Sequence, residues 1–117
     1  MIMAGAHHGG AETFFVRLCV ALAGAGEEVL AVIRRDAERS AALRRSGLDP
    51  VQLGFGGPLD LLTRPRLARA LARFAPRVAM AWMNRAARFT PSGPWVRVGR
   101  LGGYYDLRYY AGFDHLV

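Results

Sequence analysis

Met1-Ile2-Met3-Ala4-Gly5-Ala6-His7-His8-Gly9-Gly10-Ala11-Glu12 reads as a short apolar strand, a glycine-rich turn and the first turn of a helix. Glycines let backbone approach a ligand closely, and the free N–H groups of a first helical turn point at whatever sits there. Such a turn suits an anionic or polyhydroxylated molecule. The spacing of Gly5, Gly9 and Gly10 differs from the dinucleotide fingerprint G-x-G-x-x-G, and no Gly-Lys-Ser/Thr phosphate loop exists.

Downstream, the chain alternates strands and helices. Phe14, Phe15, Leu18, Cys19 and Leu22 make one apolar stripe on a helix over 12–25, which Gly24 and Gly26 stop. Val29 to Ile33 is a continuous β-rich run, as expected of a parallel strand covered on both faces. A second helix spans 36–46, with Asp36 as N-cap and Gly47 as stop. A weak third strand runs from Val51 to Phe55, closed by Gly56-Gly57-Pro58, and a third helix covers 60–75. Leu67, Ala70, Leu71 and Phe74 should face inward there, with Arg66, Arg69, Arg73 and Arg77 outward. Strands follow at Val78–Trp82 and Trp95–Val98, separated by a short helix or loop over Asn84–Phe89. Residues 99–113 read as irregular, and Asp114–Val117 as the start of a sixth strand. This alternation predicts βαβ units: an α/β, three-layer Rossmann-like domain with a mostly parallel sheet, occupying 1–117 as one domain.

Composition narrows the function classes. Hydrophobic residues make up 52% of the chain and charged residues 21%, enough for a packed core and unlike a disordered segment. No apolar run is long enough to span a bilayer, and the N-terminus lacks the pattern of a signal peptide. The single cysteine, Cys19, excludes an internal disulfide framework and reads as a buried small hydrophobe. The net charge of +7 favours anionic partners. All 16 basic residues are arginine, which points to a GC-rich genome rather than to nucleic acid as partner.

The candidate ligand contacts fall in three places. Gly9, Gly10, His8 and Glu12 lie in or beside the glycine turn, at the carboxyl end of the first strand, where open α/β sheets bind ligands. Glu12 is also favoured in the first helical turn on electrostatic grounds alone. His7 and His8 are adjacent, so their side chains diverge, and no carboxylate or cysteine cluster joins them; no metal is expected. Asn84, with Arg85 and Arg88, follows the fourth strand directly. Arg100, Tyr104 and Asp106 belong to the segment 99–113, whose tyrosines suit stacking on sugar rings but equally suit packing onto the rim of the domain. The arginine face of the third helix, Arg66, Arg69 and Arg73, is a solvated surface or a contact for anionic lipid.

Gly9-Gly10-Ala11-Glu12, an apolar helix ending Ala-Gly-Ala-Gly-Glu-Glu-Val, then a strand, resembles the opening of family-4-type glycosyltransferases of the GT-B fold. Glu27 stands where their usual Gly-His-Glu-Val carries histidine. The closing stretch from Trp95 through Asp106 to Asp114-His115-Leu116-Val117 resembles the bacterial lipopolysaccharide or polysaccharide branch of that family. The resemblance implies a retaining transfer from a nucleotide-sugar donor to a glycan or lipid-linked acceptor, with no metal or other cofactor. It implies that this chain is the acceptor-side half of a GT-B architecture and that Gly9 and Gly10 border the donor. The family's histidine after the fifth strand is replaced by Gly99-Arg100, and its paired-glutamate motif has no counterpart in these residues, so the resemblance leads to the expectation that the C-terminal donor-binding domain is absent and that this fragment alone is inactive. The expected location is cytoplasmic, at the inner face of the cell membrane. A homodimer through the exposed sheet edge is a further expectation, and a standalone module binding anionic glycan, lipid or nucleic acid is the alternative function.

Overall fold

The computed structural model describes residues 1–117. Six strands form one sheet: β1 (Ile2–Met3), β2 (Val32–Arg34), β3 (Val51–Leu53), β4 (Val78–Trp82), β5 (Val96–Arg100) and β6 (His115–Leu116). Their spatial order is β3-β2-β1-β4-β5-β6, and every neighbouring pair is parallel. The helices are α1 (Gly10–Gly24), α2 (Ala37–Arg45), α3 (Thr63–Phe74) and α4 (Met83–Phe89), with a 3-10 turn at Leu107–Tyr110. The α/β, Rossmann-like reading therefore holds, and the sheet is parallel throughout.

Two buried clusters make the layers visible. Met3, Ala31, Ile33 and Trp82 face one way, onto Phe15 and Cys19 of α1 and Leu43 of α2. Ile2, Ala4, Val32, Ala79 and Ala81 face the other way, onto Leu67 and Leu71 of α3 and Ala86, Ala87 and Phe89 of α4. Successive strand residues thus alternate between cores, the period-two pattern of a strand covered on both faces. Phe15 packs edge-on against Trp82 with ring centroids 5.5 Å apart.

Some sequence-based boundaries move for local reasons. α3 begins at Thr63 rather than residue 60, because the Asp60 carboxylate folds the preceding turn back on itself. It accepts from the amides of Gly56 (2.7 Å), Leu62 (3.1 Å) and Thr63 (3.0 Å) and from the Thr63 hydroxyl (2.5 Å). α4 starts directly from β4, with Met83 at φ 65, so no loop intervenes. β5 runs on to Arg100, and Gly99 lets it pass under Tyr110, where a Cβ would collide with the ring and with Leu116. Phe14 was expected on the buried stripe of α1. It is 45% exposed and sits at the rim, edge-on to Trp82.

Candidate functional site

The strand order reverses between β1 and β4, whose partners are Ile2 with Ala81 and Met3 with Trp82. Outside the carboxyl ends of two such strands the flanking connections diverge and leave a crevice. The loop after β1 (residues 4–9) forms one lip of it. Met83, the first residue of α4, stands across from Gly5, where an added Cβ would come 2.8 Å from Met83 Cε. Asn84, the next residue, has its Oδ1 buried without a hydrogen-bond partner.

The loop is held from both sides. Glu12, on the first turn of α1, is buried and accepts the Ala6 amide at 3.1 Å. Its carboxylate occupies the space that side chains at Gly5 and Gly9 would need, so those two glycines are required by packing. From α2, the buried Arg39 donates through Nη2 to the carbonyls of Ala6 (2.6 Å) and His7 (3.4 Å). Asp36 caps α2 by accepting the Arg39 amide at 2.8 Å, lies 3.8 Å from the Arg39 guanidinium and meets His7 Nδ1 at 2.9 Å. Burial opposes ionisation of Asp36. The Arg39 amide, the His7 ring and the Arg39 charge outweigh it and hold the carboxyl below the usual carboxylate range.

A cavity of about 320 Å³ opens beside this loop between α1 and α2, within the size range of small-ligand sites. His8, Gly9, Glu12, Thr13 and Arg17 line it from the loop and α1, Glu38 and Arg39 from α2. No side chain caps the start of α1, so its first amides remain open toward the loop. At the end of β5, Arg100 lies 5.2 Å over the Trp82 ring and 5.7 Å over Phe14.

The structure therefore gathers Gly9, Gly10, His8 and Glu12 at one lip, places Asn84 in the first turn of α4 just after β4, and stacks Arg100 on the rim aromatics at the end of the neighbouring strand. Tyr104 and Asp106 are not drawn into that group. Tyr104 is fully exposed. Asp106 caps the 3-10 turn by accepting the Arg108 amide at 3.1 Å, and it pairs with Arg108 Nε at 2.7 Å. Of the other tyrosines, Tyr110 is buried, and Tyr105 and Tyr109 pack against the core. Cys19 is buried, which pushes its thiol up to about 11 and leaves it protonated at neutral pH. No three metal-ligating side chains converge.

Sequence reasoning missed Arg39 and gave Asp36 only a capping role. The Asp-x-x-Arg spacing is a visible signal for a cap with a cation one turn on. Its link to a loop about thirty residues earlier has no local signature.

Over 93% of its length, the chain is 38% identical to the lipopolysaccharide core biosynthesis glycosyltransferase LpsD of Rhizobium meliloti. Over the same share it is 36% identical to the lipopolysaccharide core biosynthesis glycosyltransferase LpsE of that organism. Each match covers 33% of the relative, so the chain spans about a third of the length of the curated relatives it matches. No protein-family model matches the chain, and no solved structure does. Nearly the whole chain is thus similar to one third of two glycosyltransferases of lipopolysaccharide core biosynthesis.

Proposed function

We propose that this chain is the N-terminal, acceptor-side part of a retaining glycosyltransferase of the GT-B, family-4 type. The enzyme moves a sugar from a nucleotide-sugar donor to a glycan or lipid-linked acceptor in lipopolysaccharide or polysaccharide biosynthesis. The observation that carries this reading is the similarity to LpsD and LpsE across 93% of the chain. The crevice beside β1 and β4 agrees with it chemically. Its rigid, glycine-lined lip offers amides to phosphate or sugar oxygens, and Glu12 and Asn84 add acceptor and donor atoms for hydroxyls.

In this reading Gly9 and Gly10 face the donor phosphates and the transferred sugar, Glu12 sets the loop's shape, and Asn84 and Arg100 contact substrate. A second domain supplies most donor contacts, so closure of the two assembles the reacting geometry. The chain alone then binds acceptor and transfers no sugar. Amide NMR spectra of the labelled chain, titrated with lipopolysaccharide core oligosaccharide, should move the resonances of Gly5–Glu12 and Asn84. Turnover assays with a panel of nucleotide sugars should stay blank. Unmoved loop resonances would sink the acceptor-side assignment, and turnover by the chain alone would sink the two-domain one.

A further inference from the structure

Four arginines from four different elements line one small cavity beside α3 and α4. Arg64 comes from the first turn of α3, Arg88 from the last turn of α4, Arg97 from β5 and Arg108 from the 3-10 turn. The cavity has a volume of about 230 Å³, and Tyr109 and Phe113 add aromatic walls. No carboxylate lines it. Of the four guanidiniums only that of Arg108 has an ion-pair partner, Asp106 at 2.7 Å. Asp114, close by, spends its carboxylate on the Arg97 amide at 2.7 Å.

The local packing sets these cations in place. Arg97 donates to the Gly112 carbonyl and lies 5.3 Å over the Phe113 ring. Arg108 donates to the Tyr109 hydroxyl at 3.1 Å and lies 4.9 Å over that ring, and Arg88 lies 5.8 Å over Phe89. A guanidinium stacked on a ring keeps N–H groups on its edge for a ligand. Like charges gathered without counter-charges repel one another, so an anion entering between them gains from all at once. This cavity shares no lining residue with the one between α1 and α2. Arg64 also stands apart from the outward row of Arg66, Arg69 and Arg73. It lies about 200° round the helix from Arg66, past the buried flank of Thr63, Leu67 and Leu71.

We propose that Arg64, Arg88, Arg97 and Arg108 bind the phosphate-monoester group of a small soluble ligand, of the sugar-phosphate class. A phosphate monoester carries close to two negative charges at neutral pH and three terminal oxygens, which suits guanidinium forks arriving from several sides. A planar carboxylate, with one charge and two oxygens, serves fewer of them. The volume lies below the usual range for whole drug-sized ligands, so the site takes a headgroup-sized anion. The Tyr109 hydroxyl accepts from Arg108 and keeps its own proton to donate to a sugar hydroxyl. A recess of this kind admits one anion from solution, whereas a bilayer would meet only its rim. The assignment stands on the lining arginines alone, whatever reaction the crevice serves.

The test is a titration of the whole labelled chain at constant ionic strength, followed by amide NMR, with glucose 6-phosphate, inorganic phosphate and glucuronate. Resonances of Arg88, Arg97 and 108–113 should move saturably with both phosphates, and glucuronate should bind about tenfold more weakly or worse. Arg64 and Arg88 are exposed and make no side-chain hydrogen bond within the protein, so replacing them removes no fold contact of that kind. Arg64→Gln with Arg88→Gln should weaken glucose 6-phosphate about tenfold or more, with the sheet amides unmoved. Arg88→Lys alone should lose part of the affinity, since the charge stays and the fork goes. Arg66→Gln with Arg69→Gln removes the same charge and should cost about twofold or less. No saturable shift with either phosphate, equal binding of glucuronate, or equal loss from the two arginine pairs would overturn the proposal. So would binding to phosphatidic acid vesicles with no response to either soluble phosphate, since the phosphate would then be read on a bilayer.

Discussion

The loop after β1 and the tyrosine segment that follows β5 both leave carboxyl strand ends, and both are rich in glycine. They are built in different ways. The first is tied by contacts that span the sequence: Arg39 to Ala6, Asp36 to His7 and, across the crevice, Gly5 against Met83. The second has local polar ties around Asp106, Asp106 with Arg108 and Arg108 with Tyr109, and is anchored beyond itself by apolar packing of Tyr110 and by Arg97 on the Gly112 carbonyl. Long-range ties fix a shape before any ligand arrives, which is what a binding lip needs. Local ties fix only a turn, and a residue such as Tyr104 then has nothing to aim it.

The largest effect should come from cutting the strongest long-range tie. Arg39→Met removes the donor to two loop carbonyls and leaves Asp36 buried without its cation. Loss of one member of a buried pair typically costs about 3–5 kcal/mol. Urea unfolding should report it, and amide resonances of Ala6–Gly9 should broaden or move in any folded remainder. A stability within about 0.5 kcal/mol of the parent would mean that the loop is not clamped from α2. Next comes Gly5→Ala, whose new methyl meets Glu12 and Met83. Overpacking of this kind costs about 1–3 kcal/mol. Pairing it with Glu12→Ala should recover part of the loss, because the two changes share one space and should not add.

A third effect is read in pH. Asp36 and Asp60 both have carboxyls held below the usual range, Asp60 by the Thr63 hydroxyl and the amides of Gly56, Thr63 and Leu62. A carboxyl whose folded value is depressed stabilises the fold fully above its unfolded value, about 3.9, and loses that contribution as pH falls toward the folded one. Unfolding free energy should therefore be flat in their contribution from pH 5 to 8 and decline below about 4. Asp60→Asn should flatten part of that acid decline and lower Tm at neutral pH. An unchanged acid limb in that variant would show that the carboxylate does not hold the turn.

Much of the fold was legible because each element carries its own local signal. Val78–Trp82 is a β-rich run that matches β4 residue for residue, Asp36 and Gly47 bracket α2, and Leu67 and Leu71 mark the inner face of α3, whereas the run Val29–Ile33 meets β2 only at Val32 and Ile33, the strand continuing to Arg34. Boundaries shifted where a side chain intervened, as at Asp60, or where a residue took an unusual backbone angle, as at Met83. The glycine loop was legible as a loop, and Glu12 as a residue favoured at the start of the helix beside it. Its clamp was not, since Arg39 and Asp36 reach it only after β1 and β2 pair. Residue types drew attention to the tyrosines, yet burial, which no short pattern reports, decided that most of them are packing.

The smallest effects should come from the tyrosine segment, and they sharpen the contrast with the loop. Tyr104 is fully exposed, so Tyr104→Ala should change stability by no more than about 0.5 kcal/mol. Asp106 has its side chain 47% exposed, and its pair with Arg108 is a surface one, so Asp106→Ala should cost about 1 kcal/mol or less, chiefly through the lost cap on the 3-10 turn. Gly99→Ala is the internal control, because its methyl would meet the buried Tyr110 ring and should cost about 1–3 kcal/mol. If Tyr104→Ala leaves stability intact but abolishes the oligosaccharide-dependent shifts at Gly5–Glu12, the tyrosine segment reaches the same ligand as the loop, and the exposure of Tyr104 is the freedom of a side chain that closes on binding. If those shifts persist unchanged, recognition resides in the clamped lip, and the segment's tyrosines serve the core beneath them.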